Sequence, residues 1–199
     1  VGYSLGKKIE AYRQEQGVAP NSETETFVAL KVLIDNWRWA GVPFYIRTGK
    51  LLAKRISEVS IHFRSVPHRL FKDVSEQIKN NFLAIRIQPE EGISLLFESK
   101  VPGLRVRLQP VKMSFDYGGS FGAPSPDAYE RLLLDAVMGD MTLFTHQEEA
   151  YRSWKFIGEI MEGWDRLPPP AFPNYEPGSW GPDESDLLLA REGRIWRRL

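Results

Sequence analysis

The chain of 199 residues is 42% hydrophobic and balances 26 basic against 26 acidic side chains. That length and apolar content suit one soluble domain with a sizeable core, and the cancelled charge, without long runs of one sign, argues against nucleic acid or a membrane surface as partner. The lack of cysteine removes disulfides, thiolate nucleophiles and zinc–thiolate sites from the chain, suits a cytoplasmic protein, and leaves any redox chemistry to a borrowed cofactor.

No apolar run approaches the roughly 20 residues that span a bilayer, and Val1-Gly2-Tyr3 lacks the basic start of a secretory signal, so the first residue reads as an arbitrary cut. Residues 1–22 show no sustained apolar period and read as a lead-in segment. From Thr26 to Ile34 an almost continuous apolar run admits strand or helix; its β-branched content favours strand. Further strands are expected over residues 43–48, 56–64, 82–88, 93–98 and 104–117. Within the second of these, Val59, Ile61 and Phe63 alternate with Glu58, Ser60, His62 and Arg64, giving one apolar and one polar face. In the last, Leu104, Val106 and Leu108 share one parity and Val111, Met113 and Phe115 the other, which predicts a bulge near Pro110.

Two helices follow. Ser125-Pro126-Asp127 supplies a cap and a first-turn proline for the first, Leu132, Leu133, Ala136 and Val137 form its stripe, and Gly139 stops it. The spacing Thr145-x-x-Glu148 predicts a capping box for the second, whose Tyr151, Trp154, Ile157, Met161 and Trp164 read as core rather than a cofactor box. Residues 167–173 read as a proline-rich extended arm and residues 182–192 as a short terminal helix. Strands first and helices later predict an α+β domain, residues 1–199, with one large and mainly antiparallel sheet covered by helices on one face.

A self-sufficient active site is not evident, because P-loop, GxSxG, HExxH and dinucleotide-binding glycine patterns are all missing. Gly118-Gly119-Ser120-Phe121-Gly122 follows a strand and precedes a helix, but nothing downstream builds a βαβ unit, so it reads as a loop. His62, His68 and His146 lack metal-ligand spacing and read as solvated or locally bonded imidazoles; no metal site is expected. Two stretches carry more. At Thr48-Gly49-Lys50 a glycine lets backbone approach a ligand beside a lysine, and Arg55 follows five residues later, so a short loop offers two cations to a phosphorylated or polyhydroxylated ligand, with a solvated basic loop as the plain alternative. In residues 81–89, Leu83, Ile85 and Ile87 face one way and Arg86 and Gln88 the other, and the Gln88 amide offers a donor and an acceptor to a pair of sugar hydroxyls.

Residues 34–50, IDNWRWAGVPFYIRTGK, closely resemble the IDNWRWxGVPFYxRTGK block of the glucose-6-phosphate dehydrogenases. The resemblance extends through residues 12–18, 24–27, 85–89 and 126–132 to Gly178-Ser179-Trp180-Gly181-Pro182. It implies the C-terminal, substrate-side domain of a bacterial-type enzyme, with a broad sheet that pairs two subunits into a homodimer. The family oxidises the C1 hydroxyl of glucose 6-phosphate by hydride transfer to NADP, with a histidine as base and an aspartate orienting it. Those residues, the GxxGDLAxRK nucleotide segment and the phosphate-binding RIDHYLGKE block would lie upstream of Val1, so the chain alone is expected to be inactive, with no catalytic residue and no NADP site of its own. Carried over by position, Lys50, Arg55 and Gln88 resemble the C-terminal groups lining the glucose 6-phosphate site, where positioning and charge complementarity are expected of them. Mammalian relatives hold a second, structural NADP with a tyrosine and a lysine where this chain has Ser94 and Leu96; Arg86 matches, but no structural nucleotide is expected. Two further readings compete: a noncatalytic module that pairs through its sheet, and a free-standing sugar-phosphate binder of about millimolar affinity or weaker.

Overall fold

A computed structural model describes residues 2–4, 7–66, 80–122 and 128–197. The chain divides into two units, one built from residues 1–54 and 145–199, the other from residues 55–144.

In the first unit, within the expected lead-in segment, β1 (Gly2–Ser4) and β2 (Lys7–Ile9) pair antiparallel, followed by a 3-10 turn at Tyr12–Gln14. The apolar run after Thr26 is a strand, β3 (Phe27–Leu33), as its β-branched content favours. It pairs antiparallel with β4 (Pro43–Gly49) from Phe27 opposite Gly49 to Leu33 opposite Pro43.

The second unit holds a four-stranded antiparallel sheet, with β5 (Ser57–His62), β6 (Phe82–Gln88), β7 (Gly92–Lys100) and β8 (Leu108–Asp116) in chain order. Its register places Val59, Ile85, Ile93 and Phe115 in one row and Ile61, Leu83, Leu95 and Met113 in the next, so one face is apolar. The opposite face carries Ser60, Ala84, Ser94 and Ser114 in one row, the polar alternation expected from residues 58–64.

The fold is α+β with antiparallel sheets, as the order of elements predicts. Among the described residues the strands nevertheless fall into one sheet of four and two pairs rather than one broad sheet, with β3 and β4 in the first unit. The bulge expected at Pro110 is not formed: β8 begins at Leu108 and keeps register through the pairing of Glu98 with Pro110. Leu104 and Val106 precede the strand, so the change of parity falls outside it, and Pro110 is tolerated because β8 is an edge strand.

The glycine-rich segment after β8 is a helical turn, α1 (Tyr117–Phe121), and not a loop. Asp116 caps it, its Oδ1 accepting from the Gly119 N–H at 2.6 Å, so a carboxylate already takes the donor that a phosphate would need. The described part of the next helix, α2 (Ala128–Met138), ends at Gly139 with φ 73°, as expected of a C-terminal glycine; its expected cap at residues 125–127 lies outside the described residues. In the first unit, α3 (Gln147–Asp165) starts two residues after Thr145. His146 is its cap, Nδ1 accepting from the Glu148 N–H at 3.2 Å in place of the expected threonine. A short terminal helix, α4 (Asp183–Ala190), follows the proline-rich arm as expected.

The apolar stripes are open, including that of α3, which is expected to be core. Val137 on α2 is 85% exposed and Trp154 on α3 is 76% exposed, while Met113 on the apolar face of the sheet is 61% exposed. Among the described aliphatic and aromatic side chains only Ala84, Pro182 and Leu189 are buried. Periodicity finds the apolar stripes correctly; what they lack is a covering surface within the described residues.

Candidate functional site

The site residues inferred from sequence fall in both units. Arg55 and Gln88 share the second, where together with Pro89 they line a cleft of about 200 Å³. Beside the cleft the pairing of β5 with β6 slips between Ser57 and Glu58, leaving Ser57 opposite Gln88. The Gln88 Nε2 donates to Ser57 Oγ at 2.9 Å. One amide N–H is thereby fixed, orienting the second N–H and the carbonyl oxygen as a donor and acceptor pair. Both Arg55 and Gln88 are exposed, so a ligand would meet them without displacing side chains.

Lys50 lies in the first unit, exposed at the turn after β4. Its N–H donates to the Thr26 carbonyl at 2.8 Å, which closes the end of the β3–β4 pair. Gly49 is required there by packing, since a Cβ would stand 2.8 Å from Cδ2 of Phe27. Beside the reading of Gly49 as a point of close ligand approach, the structure gives it a packing reason, the close approach of the Phe27 ring.

The strand leading to Lys50 is held from the side by the tail. The Arg47 guanidinium lies 4.9 Å from the Trp180 ring and 4.6 Å from the Trp196 ring, and burial lowers its proton affinity against the opposing influence of Asp186. Glu192 receives the Lys31 ammonium and accepts from the Tyr45 hydroxyl at 2.5 Å. The Lys31 bond, then the Tyr45 bond, hold the Glu192 carboxyl below its usual range. The same carboxylate raises Lys31, whereas Tyr45 is raised first by burial and then by its bond to Glu192.

The histidines take the plain reading where they are described. His62 stacks on Phe82 with centroids 5.8 Å apart and meets Ser60 Oγ at 3.2 Å, and His146 caps α3; His68 lies outside the described residues. Among the described residues no cluster of three or more His, Cys, Asp or Glu is placed to hold a metal. Of the positions weighed for a second nucleotide, Arg86 faces Glu90 at 3.6 Å and Ser94 is buried in the sheet.

Fold and site together define an α+β domain of antiparallel sheets that presents cations and an oriented amide on exposed edges. Compared with known proteins, residues 1–197 match the family described as glucose-6-phosphate dehydrogenase, C-terminal domain. The chain is 49% identical to a glucose-6-phosphate 1-dehydrogenase of Chlamydia pneumoniae, aligning over 100% of this chain and 39% of that protein. It is 47% identical to one of Aggregatibacter actinomycetemcomitans, over 97% of this chain and 38% of the relative. A solved structure of glucose-6-phosphate dehydrogenase in complex with its substrate glucose-6-phosphate superposes with a TM-score of 0.82 at 34% identity, covering 99% of this chain and 40% of that one. The Mycobacterium avium enzyme gives 0.77 at 32% identity, over 94% of this chain and 38% of its own. The chain therefore belongs to the glucose-6-phosphate dehydrogenase family, as its C-terminal domain. It spans about two-fifths of the length of the curated relatives it matches.

Sequence reasoning reached Lys50, Arg55 and Gln88 but missed the tail residues that fasten the Lys50 turn. The only signal for those was the string Gly178-Ser179-Trp180-Gly181-Pro182, which marks the family without saying what it touches.

Proposed function

We propose that the two units form the substrate-side domain of an NADP-dependent glucose-6-phosphate dehydrogenase, which oxidises glucose 6-phosphate to 6-phosphogluconolactone as the entry to the pentose phosphate pathway. The observation that carries this reading is the pairing of Arg55 with an oriented Gln88 amide in one cleft, in a chain that matches the family over residues 1–197. A cleft of about 200 Å³ is smaller than the roughly 300–1,000 Å³ typical of ligand sites, as befits one wall of a pocket completed elsewhere.

Lys50 and Arg55 supply positive charge to a sugar phosphate, and Gln88 supplies a donor and an acceptor to neighbouring hydroxyls. Their work is orientation: holding the sugar so that its C1 hydrogen meets the acceptor lowers the entropic part of the barrier. NADP, when bound, accepts the hydride. No residue of this chain is assigned to it, because Asp116 already caps the one glycine-rich turn and Glu90 faces Arg86. The base that takes the hydroxyl proton is assigned to the nucleotide-binding half of the enzyme.

Pairing through the sheet into a homodimer is part of the same proposal, supported by the exposure of Ile61, Ile93, Met113 and Phe115 on one continuous face. No described helix is long and apolar enough to cross a membrane, and we place the enzyme in the cytoplasm. The test is Gln88→Ala in the full-length enzyme: KM for glucose 6-phosphate should rise about tenfold with KM for NADP unchanged. An unchanged KM for the sugar phosphate would remove Gln88 from the site.

A further inference from the structure

The turn that carries Lys50 is held more firmly than an exposed basic loop requires. Leu51 has φ 49°, the one described residue other than glycine in the left-handed region. That conformation costs a leucine about 1–2 kcal/mol, so the surroundings must impose it.

They do so with the tail. The Gly178 N–H donates to the Leu51 carbonyl at 2.8 Å, and the Ala53 N–H donates to the Ser179 carbonyl at 2.8 Å. Between them the Tyr175 hydroxyl reaches two carbonyls, Thr26 at 3.0 Å and Lys50 at 3.1 Å. The Tyr175 ring packs on Phe27, with centroids 5.7 Å apart. Phe27 in turn lies under Gly181, where φ is 103° and a Cβ would stand 2.3 Å from the ring. Residues 175–181 thus seat one aromatic ring and take up backbone groups of Lys50, Leu51 and Ala53.

We infer that Tyr175 is a positioning residue for Lys50, and that residues 175–181 form a backbone clamp that sets where the lysine ammonium stands for the sugar phosphate. Lysine spends much rotamer freedom when it binds, so a rigid backbone beneath it reduces what ligand binding must still order. The Thr26 carbonyl also accepts from the Lys50 N–H, so loss of the tyrosine hydroxyl falls mainly on the Lys50 carbonyl. This inference rests on the reading of Lys50 as a substrate contact.

A double-mutant cycle in the full-length enzyme tests it. Tyr175→Phe keeps the ring against Phe27 and removes only the hydroxyl. We expect it to raise KM for glucose 6-phosphate about fivefold, with the loss on KM rather than kcat and none on KM for NADP. Lys50→Ala should raise that KM about thirtyfold, and the double variant should be no worse than Lys50→Ala alone. A wild-type KM in Tyr175→Phe, or a fivefold effect that persists in full on the Lys50→Ala background, overturns the clamp while leaving Lys50 as a ligand. A wild-type KM in Lys50→Ala overturns the reading of Lys50, and the clamp's role with it.

Discussion

The β3–β4 pair and the four-stranded sheet are both antiparallel, and they are finished in opposite ways. Around β3–β4 the chain closes its own structure: Tyr175, Gly178, Ser179, Trp180, Glu192 and Trp196 all reach back to the pair or to the turn beyond it. The sheet of β5 to β8 leaves its apolar face open, with Met113 and Ile61 exposed. The contrast teaches where function sits. On the proposed reading, the self-fastened region holds the lysine offered to the sugar phosphate, and the open face is the one offered to a second subunit.

The comparison breaks first at Gly181. Gly181→Val forces a side chain into Phe27 at a positive φ, so it should cost about 3 kcal/mol or more, read as a lowered urea midpoint in the full-length enzyme. On the open sheet, Met113→Lys should leave the subunit folded and weaken dimerisation about a hundredfold, measured by sedimentation equilibrium, because an unpaired ammonium would be buried. An unchanged dimer would show that another surface pairs the subunits.

The smallest effect is expected from Glu192. Its folded-state proton affinity is depressed, so the stability it contributes is present above its ordinary value of 4.5 and is lost as pH falls through the lower folded value. Lys31 and Tyr45 are raised from 10.5 and 10.0, so their share is complete below about pH 10 and is lost as pH rises through their folded values. The clasp therefore works fully between roughly pH 5 and 10. Glu192→Gln should flatten both flanks of the stability profile, measured by thermal unfolding across pH. An unaltered profile would mean that the clasp is a surface contact of no consequence.

Much of this was legible from local pattern. The limits of β6 at Phe82–Gln88 and its two faces follow from period-two alternation, and β3 follows from β-branched content. Residue pattern singled out Lys50, Arg55 and Gln88 as candidates but left a solvated basic loop equally open for the two cations; the family resemblance supplied the role expected of all three. Local pattern failed where a decision depended on distant residues. Tyr175 lies 125 positions from Lys50, and no periodicity spans that interval. Parity misled at Pro110 because Leu104 and Val106 stand outside the strand. His146 took the cap from Thr145 because an imidazole nitrogen serves as acceptor as well as a hydroxyl does. The α2 and α3 stripes were both found, but that of α3 was read as core, since an apolar stripe shows that a surface needs covering and not what covers it.

The central claim is that this segment orients the sugar phosphate and contributes no proton transfer of its own. The direct test is oxidation of glucose 6-phosphate with NADP by the purified 199-residue chain, beside the same chain joined to the nucleotide-binding half of the family. Turnover in the joined protein alone is the expected result; turnover by the short chain would contradict it, because the base and the nucleotide site would then have to lie among these residues.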